Sequence, residues 1–167
     1  MGVHEHRAKG PTRIRVAILT LSDTRTEETD ESGRLLREGF AGAGHDVVAY
    51  AIVRDDPDPV RAQVVAWTDG GVADVVVTTG GTGVAPRDRA VEALSGLFDK
   101  TLEGFGEIFR RLSFDEIGAA AMLSRAVAGT RGRAAIFVLP GSAKAVRLAM
   151  EKLLLPEVGH VVGLLTK

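Results

Sequence analysis

The stretch Asp74-Val-Val-Val-Thr-Thr-Gly-Gly-Thr-Gly-Val-Ala-Pro-Arg-Asp88 decides the reading of this chain. Residues 74–79 form a short apolar run rich in β-branched side chains, without polar alternation. That is the mark of a strand covered on both faces. Gly80, Gly81 and Gly83 follow it directly. Glycine lets a backbone turn tightly and approach a ligand closely. The N–H groups exposed in such a turn, together with the helix that opens after it, form a cradle for an anion. Arg87 can add a charge-assisted donor. A tight turn with no ligand would use the same glycines. The P-loop is excluded because no Lys-Ser/Thr pair closes the run. The dinucleotide fingerprint is excluded because Pro86 stands where its glycine belongs.

Working outward, similar apolar runs recur at residues 15–21, 46–53 and 134–139. Between them, helices are expected at 28–43, with Leu35, Leu36 and Phe40 on one face, and at 57–67, with Pro57 in the first turn. Further helices are expected at 89–97, 103–112 and 143–155. Ser113-Phe-Asp-Glu116 matches a capping box for another short helix toward residue 127. Residues 129–132 read as a basic turn, and residues 158–165 as an apolar tail. Strands alternating with helices predict an α/β fold with a mostly parallel sheet covered on both faces. It fills a single domain over residues 13–167, with 1–12 as a polar, disordered arm. Ligands of open parallel sheets sit beyond the carboxyl ends of strands, near a switch in strand order. That singles out Ser22-Asp23, Arg54-Asp55-Asp56, residues 80–88 and residues 140–144.

The 167 residues suit one domain. With 45% hydrophobic and only 5% aromatic residues, aliphatic side chains must fill the core, which counts against a β-sandwich and an aromatic-stacking nucleic-acid binder. A net charge of −1 supplies no field toward nucleic acid or an anionic membrane. The absence of cysteine excludes disulfides, thiolate metal sites and cysteine nucleophiles. No targeting segment or membrane span is visible, so a cytoplasmic, soluble protein is expected. Neither His45 nor His160 has a partner at metal-ligand spacing, and no nucleophile elbow exists.

If the loops after the second and third strands share a rim, Asp55 and Asp88 converge there. Beside a bound polyphosphate, two carboxylates suit Mg²⁺, which completes its shell with phosphate oxygens and water. Each aspartate also sits where one can cap a helix. Pro140-Gly141-Ser142-Ala143-Lys144 is a second anion site or a plain turn into a helix. Ser124-Arg125 alone reads as a surface pair, and Ser22-Asp23 as ligand contact or cap.

Taken in order, Ser22-Asp23-Thr24, Val53-Arg-Asp-Asp56, Thr78-Thr-Gly-Gly-Thr-Gly83 with Arg87-Asp88, Glu103-Gly-Phe-Gly-Glu107, Leu123-Ser-Arg-Ala-Val-Ala-Gly129 and Leu139-Pro-Gly-Ser142 with Lys144 resemble the MoaB/MogA family of molybdenum cofactor biosynthesis proteins, as a stand-alone member. The likeness runs from about Arg15 to the C-terminus. It implies a three-layer α/β/α, Rossmann-like domain assembled as a homotrimer or homohexamer. It implies binding of molybdopterin and, in active members, transfer of AMP from Mg²⁺-bound ATP to its terminal phosphate with release of pyrophosphate; the alternative is a catalytically silent molybdopterin-binding or scaffold oligomer. Carried over by position, Asp55 and Asp88 are the Mg²⁺-linked catalytic acids. Gly80, Gly81, Thr82, Gly83 and Arg87 contact phosphate. Ser124, Arg125, Pro140, Gly141 and Ser142 line the groove, with Asp23 beside them. Two positions depart from the family pattern. Ala90 follows where threonine is common, which removes a hydroxyl near the phosphate site. Ala143 follows Ser142 where proline is common, which relaxes that turn.

Overall fold

A computed structural model describes Gly2 and residues 10–167 of the chain. Most of the expected N-terminal arm lies outside the described residues. Strands β1 (Arg15–Leu21), β2 (Asp46–Val53), β3 (Val75–Thr79) and β6 (Ala134–Leu139) fall on the four apolar runs. They alternate with helices α1 (Glu31–Gly42), α2 (Pro57–Asp69), α3 (Ala90–Ser95), α4 (Glu103–Ile117), α5 (Ala143–Ala149) and α6 (Leu155–Leu165). The six-stranded sheet has the order β2-β1-β3-β6-β5-β4, where β4 is Lys100–Thr101 and β5 is Val127–Arg131. The first four strands in that order are parallel, and β5 and β4 close the far edge antiparallel.

The period of two explains the layers. Val16 and Ile18 of β1 face a core built with Leu36 and Phe40 of α1, Phe109 of α4 and Val146 of α5. Ala17, Leu19 and Leu21 face the opposite way, onto Val60, Val64 and Trp67 of α2 and Leu94 of α3. A sheet with apolar residues on both faces needs a helical layer on each side, and it has one.

Four local expectations give way. Helix α1 starts at Glu31 because Asp30 caps it, accepting the Gly33 N–H at 3.0 Å. The capping box at Ser113 does not form: α4 runs on to Ile117, because Ser113 sits one turn beyond Phe109 on its buried face. A 3₁₀ turn over Gly118–Leu123 follows it. The basic turn is strand β5, paired with β6 from Val127 to Arg131, and only Gly132 turns, with φ +56°. Gly129 leaves room for the Phe98 ring, which a Cβ there would strike, so this strand carries small residues and no apolar run. The C-terminal tail is helical, joined to α5 by a π-turn over Met150–Leu154 ahead of Pro156. Residues 146–155 mostly fill the chain's own core. Gly10 and Pro11 lie against Gly159 of α6. Among the described residues no helix is long and apolar enough to cross a membrane.

One consequence of the topology places the site. The chain goes from β1 to β2 on one side, then to β3 on the other, so strand order switches between β1 and β3. In register, Leu21 pairs with Val53, Thr20 with Thr79 and Thr79 with Leu139, which brings the carboxyl ends of β1, β2, β3 and β6 to one edge.

Candidate functional site

The loop after β3 is built from backbone. Gly80 and Gly81 have φ +106° and +68°, in the range that favours glycine. A Cβ on Gly80 would stand 2.5 Å from the Leu21 carbonyl oxygen at the end of β1. The Gly80 N–H donates to Leu139 O at 3.0 Å, and the Ala90 N–H donates to Gly81 O at 3.0 Å. Among the described residues no protein acceptor takes the N–H groups of Gly81, Thr82, Gly83 and Val84. Unpaired amides in a glycine turn are the donor set an anion uses.

Both expected carboxylates lie over this loop. A Cβ on Gly81 would stand 2.7 Å from Asp55 Oδ1, and one on Gly83 would stand 2.5 Å from Asp88 Oδ2. Helix capping is done by their neighbours or not at all. Asp56 caps α2, accepting the Asp58 N–H at 3.3 Å. At α3 the cap position is Arg89, with no side-chain bond. Asp88 instead accepts the Ala85 N–H at 3.0 Å, closing the loop on itself. Burial and the neighbouring Asp88 push the Asp55 carboxyl above its ordinary pKa, Arg87 partly offsets this, and Asp23 adds to it.

Asp23 is the brace between loops. Its Oδ1 accepts the Asp55 N–H at 3.1 Å, and its Oδ2 pairs with Arg87 Nη2 at 2.8 Å. Three carboxylates therefore meet one arginine at this rim. Two oxygen ligands in a site of net negative charge fit a hard divalent cation that draws its other ligands from phosphate and water. Among the described residues no cluster of three or more histidine, aspartate or glutamate side chains is arranged to hold a metal without such help.

The turn after β6 packs against the glycine loop. Thr79 Oγ1 donates to Pro140 O at 2.8 Å, and the Gly141 α-carbon side faces Gly80. Ser142 caps α5 through the Ala145 N–H at 3.2 Å. Lys144 reaches toward Glu116, at 3.9 Å. Arg125 lies beneath the loop. Its Nε donates to Gly83 O at 3.0 Å, its Nη2 to Asp88 O at 2.9 Å, and its Nη1 pairs with Glu92. Ser124 Oγ is buried without a hydrogen-bond partner. A shallow cleft of about 380 Å³ opens beside the loop, with Val84, Pro86, Asp88, Arg89, Glu92 and Arg125 in its wall.

Four contributors were not singled out from the sequence: Glu92, Arg25, Ser32 and Asp30. Glu92 holds Arg125 from one turn inside α3. Arg25 Nη2 and Ser32 Oγ donate to Gly141 O at 3.3 and 2.8 Å, tying the segment between β1 and α1 to the turn after β6. Asp30 anchors that segment, accepting from Gly33 N–H and from Tyr50 Oη at 2.7 Å, with Arg25 at 3.5 Å. The Asp30-x-Ser32-Gly33 pattern is readable as a helix start, and would have led to two of these residues.

A family model described as a probable molybdopterin binding domain matches residues 17–160. The chain is 52% identical over 162 residues to molybdenum cofactor biosynthesis protein B of Bacillus cereus, covering 96% of each. It is also 52% identical to the Escherichia coli (strain K12) protein of that name, covering 88% of this chain and 85% of that protein. Among solved structures it is similar to a molybdenum cofactor biosynthesis protein B at TM-score 0.91 and 53% identity, covering 93% of this chain and 98% of that one. It is also similar to the tungsten cofactor synthesizing protein MoaB of Pyrococcus furiosus at TM-score 0.84 and 39% identity, covering 94% and 99%.

Proposed function

The chain belongs to the molybdopterin-binding family of molybdenum cofactor biosynthesis proteins, and from that premise we propose that it binds molybdopterin at the glycine loop and transfers AMP to it from ATP. The observation that carries the reading is the pair of carboxylates, Asp55 and Asp88, set over a loop whose amides are free to donate to an anion.

The transfer needs little covalent chemistry from the protein. An oxygen of the molybdopterin terminal phosphate attacks the α-phosphorus of ATP. The bond from that phosphorus to the bridging oxygen of the β-phosphate breaks, and pyrophosphate leaves with the electron pair. No general base is needed, because the attacking phosphate is already ionised at neutral pH. The difficulty is bringing two anions together in line, so positioning and charge neutralisation do the work. The amides of Gly81 to Gly83 hold phosphate oxygens. Asp55 and Asp88 would hold Mg²⁺, which when bound neutralises phosphate charge and orients the leaving group. Arg87, kept at the rim by Asp23, is placed to meet phosphate by exchanging partners.

A binding-only role is the second reading, favoured by Ala90: its methyl is buried beside Gly81 where a hydroxyl would be an additional donor. Pyrophosphate release from ATP with Mg²⁺, with and without molybdopterin, separates the two. We expect molybdopterin-dependent release. Asp88→Asn keeps the acceptor for the Ala85 N–H and loses the charge, and Asp88→Ala loses both. Each should lose more than about 100-fold in turnover while still binding molybdopterin. Equal loss of binding and turnover would make Asp88 structural.

Self-association is part of the same proposal. Phe114, Ile117, Met122 and Leu123 gather at the end of α4 and the following 3₁₀ turn with 55%, 47%, 78% and 52% of their surfaces exposed. An apolar group of that kind, rimmed by Arg110 and Arg111, suits a subunit contact. Cytoplasmic residence fits a cysteine-free chain handling ATP.

A further inference from the structure

We propose that Arg125 and Glu92 are positioning residues that aim the amides of the glycine loop without touching the ligand. This rests on reading that loop as the phosphate cradle, and extends it to residues outside the loop.

One guanidinium grips the loop at its middle and at its far end. Arg125 Nε donates to Gly83 O at 3.0 Å and to Thr82 O at 3.3 Å, while Nη2 donates to Asp88 O at 2.9 Å. A trans peptide points its carbonyl and the next residue's N–H in opposite directions. Drawing the Thr82 and Gly83 carbonyls down onto Arg125 therefore turns the Gly83 and Val84 N–H groups outward. These amides have no protein acceptor among the described residues. The contact at Asp88 O fixes the backbone that carries one of the two carboxylates.

The remaining capacity of the guanidinium goes to Glu92, through Nη1 and through Nη2 at 3.4 Å. Glu92 lies in α3, which starts directly behind the loop, so the fork is gripped from the helix side as well. The backbone on either side of Arg125 is held in turn by Arg110, whose Nη1 donates to Ala126 O at 3.0 Å and Ser124 O at 3.4 Å. With its donors engaged in three carbonyls and a carboxylate, Arg125 has little left to offer a phosphate. A planar fork is also required here, since lysine offers a point charge that cannot reach Gly83 O and Asp88 O together.

The test measures, residue by residue in the full chain, hydrogen exchange at the bonded amides that close the loop, those of Ala85, Asp88 and Ala90, with β3 (Val75–Thr79) as an internal control, and molybdopterin affinity without ATP. The variants are Arg125→Ala, Arg125→Lys, Glu92→Gln and Glu92→Ala. We expect exchange at the Ala85, Asp88 and Ala90 amides to quicken about tenfold in both Arg125 variants and a few-fold in the Glu92 variants, with the control unchanged. Molybdopterin affinity should fall in the same order. Failure of lysine to rescue either measurement supports the bracing role. Lost affinity with unchanged loop exchange, or rescue of affinity by lysine, would make Arg125 a direct ligand contact and overturn the proposal. If Arg125→Ala does not fold, the Glu92 variants carry the test: exchange like wild type in both would overturn it. A loosened loop with undiminished molybdopterin affinity would leave the brace standing and overturn the cradle reading instead. None of these readouts depends on adenylyl transfer.

Discussion

Replacing Gly80 or Gly83 with alanine adds the same methyl group to the same loop three residues apart, yet the two variants should fail in different ways. At Gly80 the backbone has φ +106°, and the new Cβ would stand 2.5 Å from Leu21 O. That oxygen belongs to the end of β1, which is hydrogen-bonded on both sides in the middle of the sheet and cannot retreat. Backbone strain and the collision together should cost about 3–5 kcal/mol, a drop in Tm of roughly 10 °C for a chain of this size. At Gly83 φ is not positive, and the Cβ would meet only the Asp88 carboxylate, at 2.5 Å from Oδ2. A side-chain end can swing aside, so stability should change by less than about 1 kcal/mol. The carboxylate would then leave its place over the loop, and Mg²⁺-dependent pyrophosphate release should fall about 100-fold. Urea denaturation and thermal melting measure the first effect, and initial rates against Mg²⁺ concentration the second. Equal stability losses in the two variants, or full Mg²⁺-dependent turnover in Gly83→Ala, would refute the placement of Asp88.

Other consequences are open to measurement. The folded pKa of Asp55 lies above its unfolded value, so its contribution to stability is complete in acid and is lost as pH rises through the raised value. Asp55→Asn should therefore match wild type near pH 3 and, with this half-exposed group screened by solvent, exceed it by about 0.5 kcal/mol at pH 7. Urea midpoints at the two pH values check this, and a variant less stable at pH 7 contradicts it. Asp30→Ala removes the cap of α1, strands the Tyr50 hydroxyl and leaves Arg25 only its bond to Gly141 O; it should cost about 2–4 kcal/mol in urea denaturation. Although burial opposes its ionisation, hydrogen bonds hold the Asp30 carboxyl below its ordinary pKa, so this stabilisation is present at neutral pH and is lost as pH falls through the lowered value. Phe114→Asp with Met122→Asp places two charges in the exposed apolar group and should reduce the solution mass measured by light scattering; an unchanged oligomer would move the contact elsewhere.

The strands were legible because a buried parallel sheet leaves a mark along the chain itself: VAILTL and AAIFVL need no partner to be recognised. What escaped depended on contacts distant in sequence. Strand β5 carries Ala128 and Gly129 because Phe98 and its neighbours fill the space, so it shows no apolar run. The motif at Ser113 is locally valid, but the buried face of α4 continues past it, and burial outweighs a cap. At the site, spacing could not say whether Asp55 or Asp56 caps α2, since that depends on backbone angles. The fold brought together Asp23, Asp55, the glycine loop, Arg87 and Asp88 as their places after strands suggested. Glu92, one helical turn beyond the loop, meets Arg125 across 33 residues, and no periodicity within a helix reports a meeting of that kind.

The donors of the proposed anion cradle are peptide groups. A gene can change any side chain around them but cannot delete a main-chain N–H, short of encoding proline. Mutation therefore harms the cradle mainly by obstruction, through a bulkier residue at a glycine, or by slackening its supports. The side chains of Val84 and Ala85 at the outward tip are exposed, so on the proposed reading a substitution there changes the rim without removing a donor to phosphate.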